Sequence, residues 1–244
     1  MTQVIKESTL QFEHHNNVVK VCFSDSGNIS THICNILSGK EYPTLQCHFK
    51  PDLIVDIGAN IGATALFLTG IYPDVDCFCY EPSLTNFTYL QRNTSFLNRI
   101  KIFNFGLSDE SNTVKLYLGN SQCLQHSLYP SVEVSQSFEL VEIRLASVEL
   151  RDVLSGKRCL MKIDTEGCEV PILQNLGSYL ENVDVLYVEY HSEQDRRKID
   201  HLLSRQFSLC YSSASIIHRG TLMFLSQRLL SELPHLESIA IRKQ

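Results

Sequence analysis

The sequence predicts an α/β fold: a Rossmann-like, seven-stranded, mostly parallel sheet with helices on both faces, preceded by an N-terminal cap and interrupted by a β-hairpin insertion. Three observations carry this reading. Short apolar runs at Leu53 to Ile57, Val75 to Tyr80, Cys159 to Asp164 and Val183 to Glu189 alternate with helical stretches, and such alternation implies parallel strands buried on both faces with right-handed crossovers. The 244 residues suit one domain with decorations. A hydrophobic content of 43% against 20% charged supplies a full core and argues against disorder.

The elements follow in order. Thr9 to Glu13 and Val18 to Phe23 alternate around the turn-prone His15-Asn16-Asn17, the pattern of a hairpin. Ser30 to Leu37 reads as a short helix with Ser30 as a candidate N-cap. Residues 1–50 are thus expected to form a cap, and residues 51–244 the main domain. After the first buried strand come a Gly-containing turn and a helix from Gly62 to Ile71; after the second comes a helix over Ser83 to Leu97. Ile100 to Leu107 is the expected third strand. An insertion of about residues 111–145 holds two antiparallel strands, Thr113 to Leu118 and Glu139 to Leu145, around a polar loop. Ser147 to Leu154 is a short helix, Glu169 to Leu180 a helix entered through Pro171, and Asp195 to Leu203 another. Phe207 to Tyr211 and Thr221 to Leu225 close the sheet as an antiparallel pair.

Charge and cysteine usage narrow the function. With 21 Lys plus Arg against 27 Asp plus Glu, the formal net charge of −6 disfavours a nucleic-acid partner held by phosphate neutralisation. The nine cysteines form no C-x-x-C pair, so neither a zinc site nor a disulfide framework is suggested, and a reducing compartment is expected. No apolar run approaches the roughly 18 residues of a membrane span, and the start MTQVIKESTLQFEHH lacks an export signal, so a cytoplasmic protein is expected.

In such sheets ligands bind outside the carboxyl ends of the strands. The first strand ends in Asp56-Ile57-Gly58-Ala59-Asn60-Ile61-Gly62. Gly58 and Gly62 permit a tight turn and close approach to a ligand, and Asn60 is the non-glycine residue that best tolerates a left-handed backbone. This spacing is not the G-x-G-x-x-G of dinucleotide sites, and Asp56 at the mouth of the turn would repel phosphate and suit an amine-bearing ligand. Glu81, after the second strand, is placed to accept both hydroxyls of a ribose. Leu107, Ser108 and Asp109 follow the third strand, where an adenine edge would lie.

The fourth strand leads into Asp164, Glu166 and Glu169, and the fifth ends in Glu189-Tyr190-His191. Part of this acid cluster can be helix capping. Lys162, inside an apolar strand, demands a carboxylate partner because an unpaired buried ammonium is too costly. His191 is a candidate general base because its ordinary pKa lies near neutrality.

With these residues in view, the chain resembles the FkbM family of class I S-adenosylmethionine-dependent methyltransferases. The resemblance runs from about Leu53 to Tyr190 and rests on VDIGANIG (Val55 to Gly62), YEPSLTNFTYLQRN (Tyr80 to Asn93), FGLSD (Phe105 to Asp109), MKIDTEGCEVPILQN (Met161 to Asn175) and YVEYH (Tyr187 to His191). It implies O-methylation of a hydroxyl, most directly on a sugar, with a polyketide-type metabolite or a non-catalytic cofactor-binding module as alternatives. On that reading Asp56, Gly58, Ala59, Asn60 and Gly62 cradle the amino-acid end of S-adenosylmethionine, Glu81 holds its ribose, and Leu107 and Ser108 border its adenine. His191, Asp164, Glu166 and Glu189 are then the candidate base and its orienting partners. His126 and Ser127 of the insertion loop are candidates for the acceptor pocket. A divalent metal is compatible with Asp164 and its neighbours, but no ligand spacing calls for one, and none is assigned. The family's usual Leu-Asp is replaced by Leu145-Ala146, a departure that points to a different acceptor if that Asp lines the pocket.

Overall fold

The computed structural model describes residues 7–14, 17–24, 29–45, 49–119, 134–233 and 241–242; His126 and Ser127 lie outside them. The chain opens with β1 (Glu7–His14) and β2 (Asn17–Ser24), the antiparallel hairpin that its alternation predicts. There follow α1 (Ile29–Leu37), with Ser30 inside the helix rather than capping it, and the two-residue β3 (Thr44–Leu45). The βα units are β4 (Leu53–Ile57), α2 (Ala63–Ile71), β5 (Asp76–Tyr80), α3 (Leu84–Thr94) and β6 (Ile100–Phe103). A side sheet of β7 (Gly106–Ser108), β8 (Asn112–Gly119) and β9 (Val134–Leu145) comes next. The second half runs α4 (Ala146–Leu154), β10 (Cys159–Ile163), α5 (Glu169–Leu176), β11 (Val183–Tyr190), α6 (Glu193–Leu203), β12 (Phe207–Ile216), β13 (Arg219–Ser226) and α7 (Gln227–Glu232), with β14 (Ile241–Arg242) pairing back to β3.

The seven-stranded sheet has the order β12-β13-β11-β10-β4-β5-β6. The four pairings from β6 to β11 are parallel; β13 joins β11 antiparallel, and β12 closes that edge antiparallel to β13. The order reverses between β4 and β10, so the carboxyl ends of these neighbours form the crevice where an open α/β sheet takes its ligand. One expectation fails here. The single third strand over Ile100 to Leu107 is split, because Asn104 turns its amide onto the carbonyls of Glu81 and Pro82 and the chain leaves the sheet; Gly106–Ser108 then pairs with β9 instead. The helix expected to reach Leu180 stops at Leu176, where Gly177 takes a positive φ of 50° and a 3-10 turn follows.

Both faces of the sheet are covered, which explains the unbroken apolar runs. On one face Val55, Ile57, Met161, Ile163 and Val188 pack against Leu150, Leu154, Ile172 and Ile199 of α4, α5 and α6. On the other, Ile54, Cys77, Cys79, Leu160, Val185 and Tyr187 pack against Leu66 and Leu68 of α2 and against Ile33, Ile36 and Tyr42 of the N-terminal segment. By strand alternation Asp56 and Lys162 point to this second face. A buried amide fastens the hairpin: Asn93 of α3 accepts from the Cys22 N–H (2.8 Å) and donates to the carbonyls of Cys22 and Ile61 (both 2.9 Å). No described helix is long and apolar enough to cross a membrane. Among the described residues seven cysteines are free thiols, five of them buried.

Candidate active site

The turn after β4 is wired to β5. The N–H groups of Gly58 and Ala59 both donate to the Tyr80 carbonyl (2.9 and 3.0 Å), and the Asn60 N–H donates to Glu81 Oε2 (2.8 Å). Three N–H groups that a phosphate loop would aim at its ligand are therefore engaged, which agrees with the reading against a dinucleotide. Asn60 takes φ 51°, as its residue type allows, and its buried side-chain Oδ1 has no hydrogen-bond partner. Gly58, at φ 75°, is required for a reason spacing alone does not show: a Cβ there would fall well inside contact with the backbone carbonyl of Asp164. The glycine brings two strand ends together, before any question of a ligand.

Glu81 is 5% exposed, and besides the Asn60 N–H it accepts from the Ser83 N–H (2.9 Å). Burial pushes its carboxyl up to about 7, against the pull of those two N–H groups. Each oxygen keeps a further lone pair for the two ribose hydroxyls of the resemblance. Asn60 Oδ1 and the acceptors left on Glu81 thus fit the polar end and the ribose of S-adenosylmethionine. Leu107 is buried in the core, and the Ser108 hydroxyl donates to Asp109 (3.1 Å) and touches the Cys168 sulfur (3.7 Å), in the strand that has left the main sheet.

Asp56 is not at the mouth of the turn. It is fully buried, opposite Lys162 in the β4–β10 register, with Lys162 Nζ 3.2 Å from its Oδ1. Burial raises its pKa and Lys162 opposes this. Lys162 also donates to the Gly58 carbonyl (2.6 Å) and stands 3.6 Å from Asp164 Oδ2. The expected partner of the buried lysine is therefore present, and Asp56 meets Lys162 rather than solvent.

Past β10 the side chains take over from the backbone. His191, 12% exposed, sits among three carboxylates: Nδ1 lies 3.4 Å from Glu166, and Nε2 lies 3.3 Å from Glu169 and 3.9 Å from Asp164. Burial works to lower its pKa, but Glu169, Glu166 and Asp164 carry it up to about 9. This revises the ground on which His191 was favoured, because at neutral pH it is an imidazolium with no free lone pair for a proton. For Asp164, burial acts upward while Lys162 and His191 hold it below the usual carboxylate range. Glu189 is driven well upward, first by burial and then by Asp164. Glu166 is raised by burial to about 7 and occupies the left-handed region at φ 57°, unusual for a non-glycine residue.

Asp164, Glu169 and His191 offer donor atoms within 4.8 Å of one another, near enough to share a cation. Glu169 is already occupied, however: it accepts from the N–H groups of Thr165 (2.7 Å) and Gly167 (3.1 Å) and from the Thr165 hydroxyl (3.0 Å), holding the turn into α5. The cluster is therefore self-consistent as carboxylates around an imidazolium. Ala146 is fully buried at the start of α4, a helix with no side-chain cap, where the Ser147 N–H donates to Asn175 Oδ1 (2.8 Å). A cavity of about 590 Å³ lined by Gln174, Glu193, Arg197 and His201 lies beside α6.

Sequence reasoning overlooked the N-terminal contribution. Tyr42 Oη lies 3.5 Å from Asp164 Oδ2, and Glu41 accepts from the Thr221 hydroxyl (2.8 Å). With Tyr42 and Asp164 122 positions apart and no motif around Tyr42, nothing local marks the pair.

The chain is 29% identical over 173 residues to methyltransferase sdnD of Sordaria araneosa, covering 56% of this chain and 67% of that protein. It is 26% identical over 159 residues to the hexuronic acid methyltransferase AglP of Haloferax volcanii, covering 64% of this chain and 62% of that protein. A solved ribosomal protein L11 methylase from Lactobacillus delbrueckii subsp. bulgaricus aligns at 12% identity with a TM-score of 0.45, over 83% of this chain and 80% of its own. The model of the methyltransferase FkbM domain matches residues 56–214, from the buried aspartate of β4 into the edge strand β12, and the chain belongs to that family.

Proposed function

We propose that this chain transfers a methyl group from S-adenosylmethionine to a hydroxyl oxygen of a small molecule or glycan, most directly a sugar hydroxyl. The observation that carries the reading is the meeting, at the β4–β10 crevice, of a turn suited to an amino-acid tail and ribose with a cluster of ionisable groups suited to moving one proton. The activity of the hexuronic acid methyltransferase relative supports a sugar acceptor. Residues 51–244 would form the catalytic domain and residues 1–50 its cap, in a cytoplasmic protein.

When bound, the cofactor supplies a methyl already activated on a sulfonium. Asn60 and Glu81 would hold its polar parts, while Asp56, paired with Lys162, fixes the floor under Gly58. The chain's remaining tasks are to align the acceptor oxygen and to take its proton. Glu166 is the proposed base: its carboxyl titrates near neutrality, it is 24% exposed, and the neighbouring His191 imidazolium stabilises its ionised form. A positioned base contributes about 10²–10⁴-fold. Asp164 and Glu189 orient the cluster. Incubation with S-adenosylmethionine and a panel of neutral and uronic methyl glycosides, with product read by mass spectrometry, tests the reading. Methylated glycoside supports it; cofactor binding without transfer to any hydroxyl acceptor would leave a binding module instead.

A further inference from the structure

We propose that Tyr42, which precedes the matched family domain, is a positioning residue of the active site and sets the orientation of Asp164. The inference rests on the transferase reading above. Tyr42 is 2% exposed, so it does not touch the acceptor; it acts through the carboxylate it faces.

Three bonds stitch residues 41–43 across the sheet face that bears Lys162. The Tyr187 hydroxyl of β11 donates to the Pro43 carbonyl (2.6 Å), and the Thr221 hydroxyl of β13 donates to Glu41 (2.8 Å). Between these anchors the Tyr42 ring meets the Tyr187 ring edge to face, with centroids 5.5 Å apart at 77°. The Tyr42 hydroxyl is thereby held against Asp164 Oδ2 at 3.5 Å. It has one sensible role there. Burial, followed by the charges of Asp164, Glu189, Glu41 and Asp56, keeps it protonated, so it is a donor set among acceptors.

Asp164 needs such a donor. One oxygen faces His191 (3.9 Å), while the other faces both Lys162 (3.6 Å) and Tyr42. None of these three contacts is at strong hydrogen-bond distance and Glu189 also meets Asp164, so the part of the tyrosine is to add one neutral, anchored donor to a side chain that is 21% exposed at the mouth of the crevice. An aspartate free to rotate there would no longer orient the acceptor or His191, and loose placement near reacting atoms is costly.

The test is Tyr42→Phe, with Thr221→Val as a second variant that keeps Tyr42 but frees Glu41 beside it. In Asp-¹³C-labelled protein at neutral pH, the Asp164 carboxylate resonance, assigned by its absence in Asp164→Asn, is expected to move in Tyr42→Phe and less in Thr221→Val. Methyl transfer to the best methyl glycoside should fall roughly three- to tenfold in kcat, with S-adenosylmethionine affinity by calorimetry within twofold of the parent. An unmoved Asp164 resonance, or unchanged kcat, overturns the inference. If Tyr42→Phe does not fold, the Thr221→Val resonance and kcat decide alone, by the same criteria. A moved resonance in a protein that binds cofactor but methylates no hydroxyl supports the Tyr42–Asp164 link and removes the transferase reading.

Discussion

The two sides of the crevice are built from different materials. On the β4–β5 side the contacts run through backbone: Gly58, Ala59 and Asn60 give their N–H groups to Tyr80 and Glu81, and one glycine brings two strand ends together. On the β10–β11 side they run through side chains: Asp164, Glu166 and Glu169 of one turn meet His191 after β11 and Tyr42 from the N-terminal segment. A backbone site is rigid and specific in shape, as binding one constant cofactor requires. A side-chain site is tunable in charge, as the proton transfer proposed above would require.

The contrast can be broken at its seam. Lys162→Met leaves Asp56 buried without its cation and should destabilise the fold by about 3–5 kcal/mol in urea titration, while replacing both residues by apolar ones should recover much of the loss. Gly58→Ala should cost about 1–3 kcal/mol from the left-handed backbone alone, with the clash against Asp164 in addition, and should reduce cofactor affinity and acceptor turnover together. Glu81→Gln turns an amide donor toward an N–H donor. It should weaken S-adenosylmethionine binding by about tenfold in calorimetry, since a mismatched buried donor costs about 1–3 kcal/mol, and leave the Asp164 resonance in place.

The smallest effect concerns pH. Folding raises His191 from its ordinary value to about 9, so its contribution is complete below about pH 6.5 and is lost as pH rises through 9. Glu81 and Glu166, raised to about 7, act in the same direction: folding favours their protonated forms, and that contribution is lost between about pH 4.5 and 7. In His191→Gln the decline of stability between pH 6.5 and 9 should flatten, while the decline below pH 7 persists. Thermal melts across that range check it.

The same contrast explains what was legible in the sequence. Backbone chemistry follows from local residue types, so VDIGANIG announces a strand, a turn and a helix start without tertiary information. Lys162 was legible through cost, because a lysine in CLMKI must find an acid. The position of Asp56 was misjudged, since a motif does not say which face of a strand its carboxylate takes; parity with Ile54 settles that. The break after β6 escaped periodicity because it depends on Asn104 bonding two carbonyls more than twenty residues away in sequence. The pKa of His191 escaped it too, since three acids from another loop set the value.

Asn93 joins the N-terminal hairpin to the turn that precedes α2, and it does so with one side-chain amide. Local opening of β2 must break bonds in the same amide that restrains Ile61, so the two segments share part of one opening free energy. Saturation with S-adenosylmethionine should therefore slow amide hydrogen exchange at Cys22, and Asn93→Ala should abolish that protection while the turn itself stays protected.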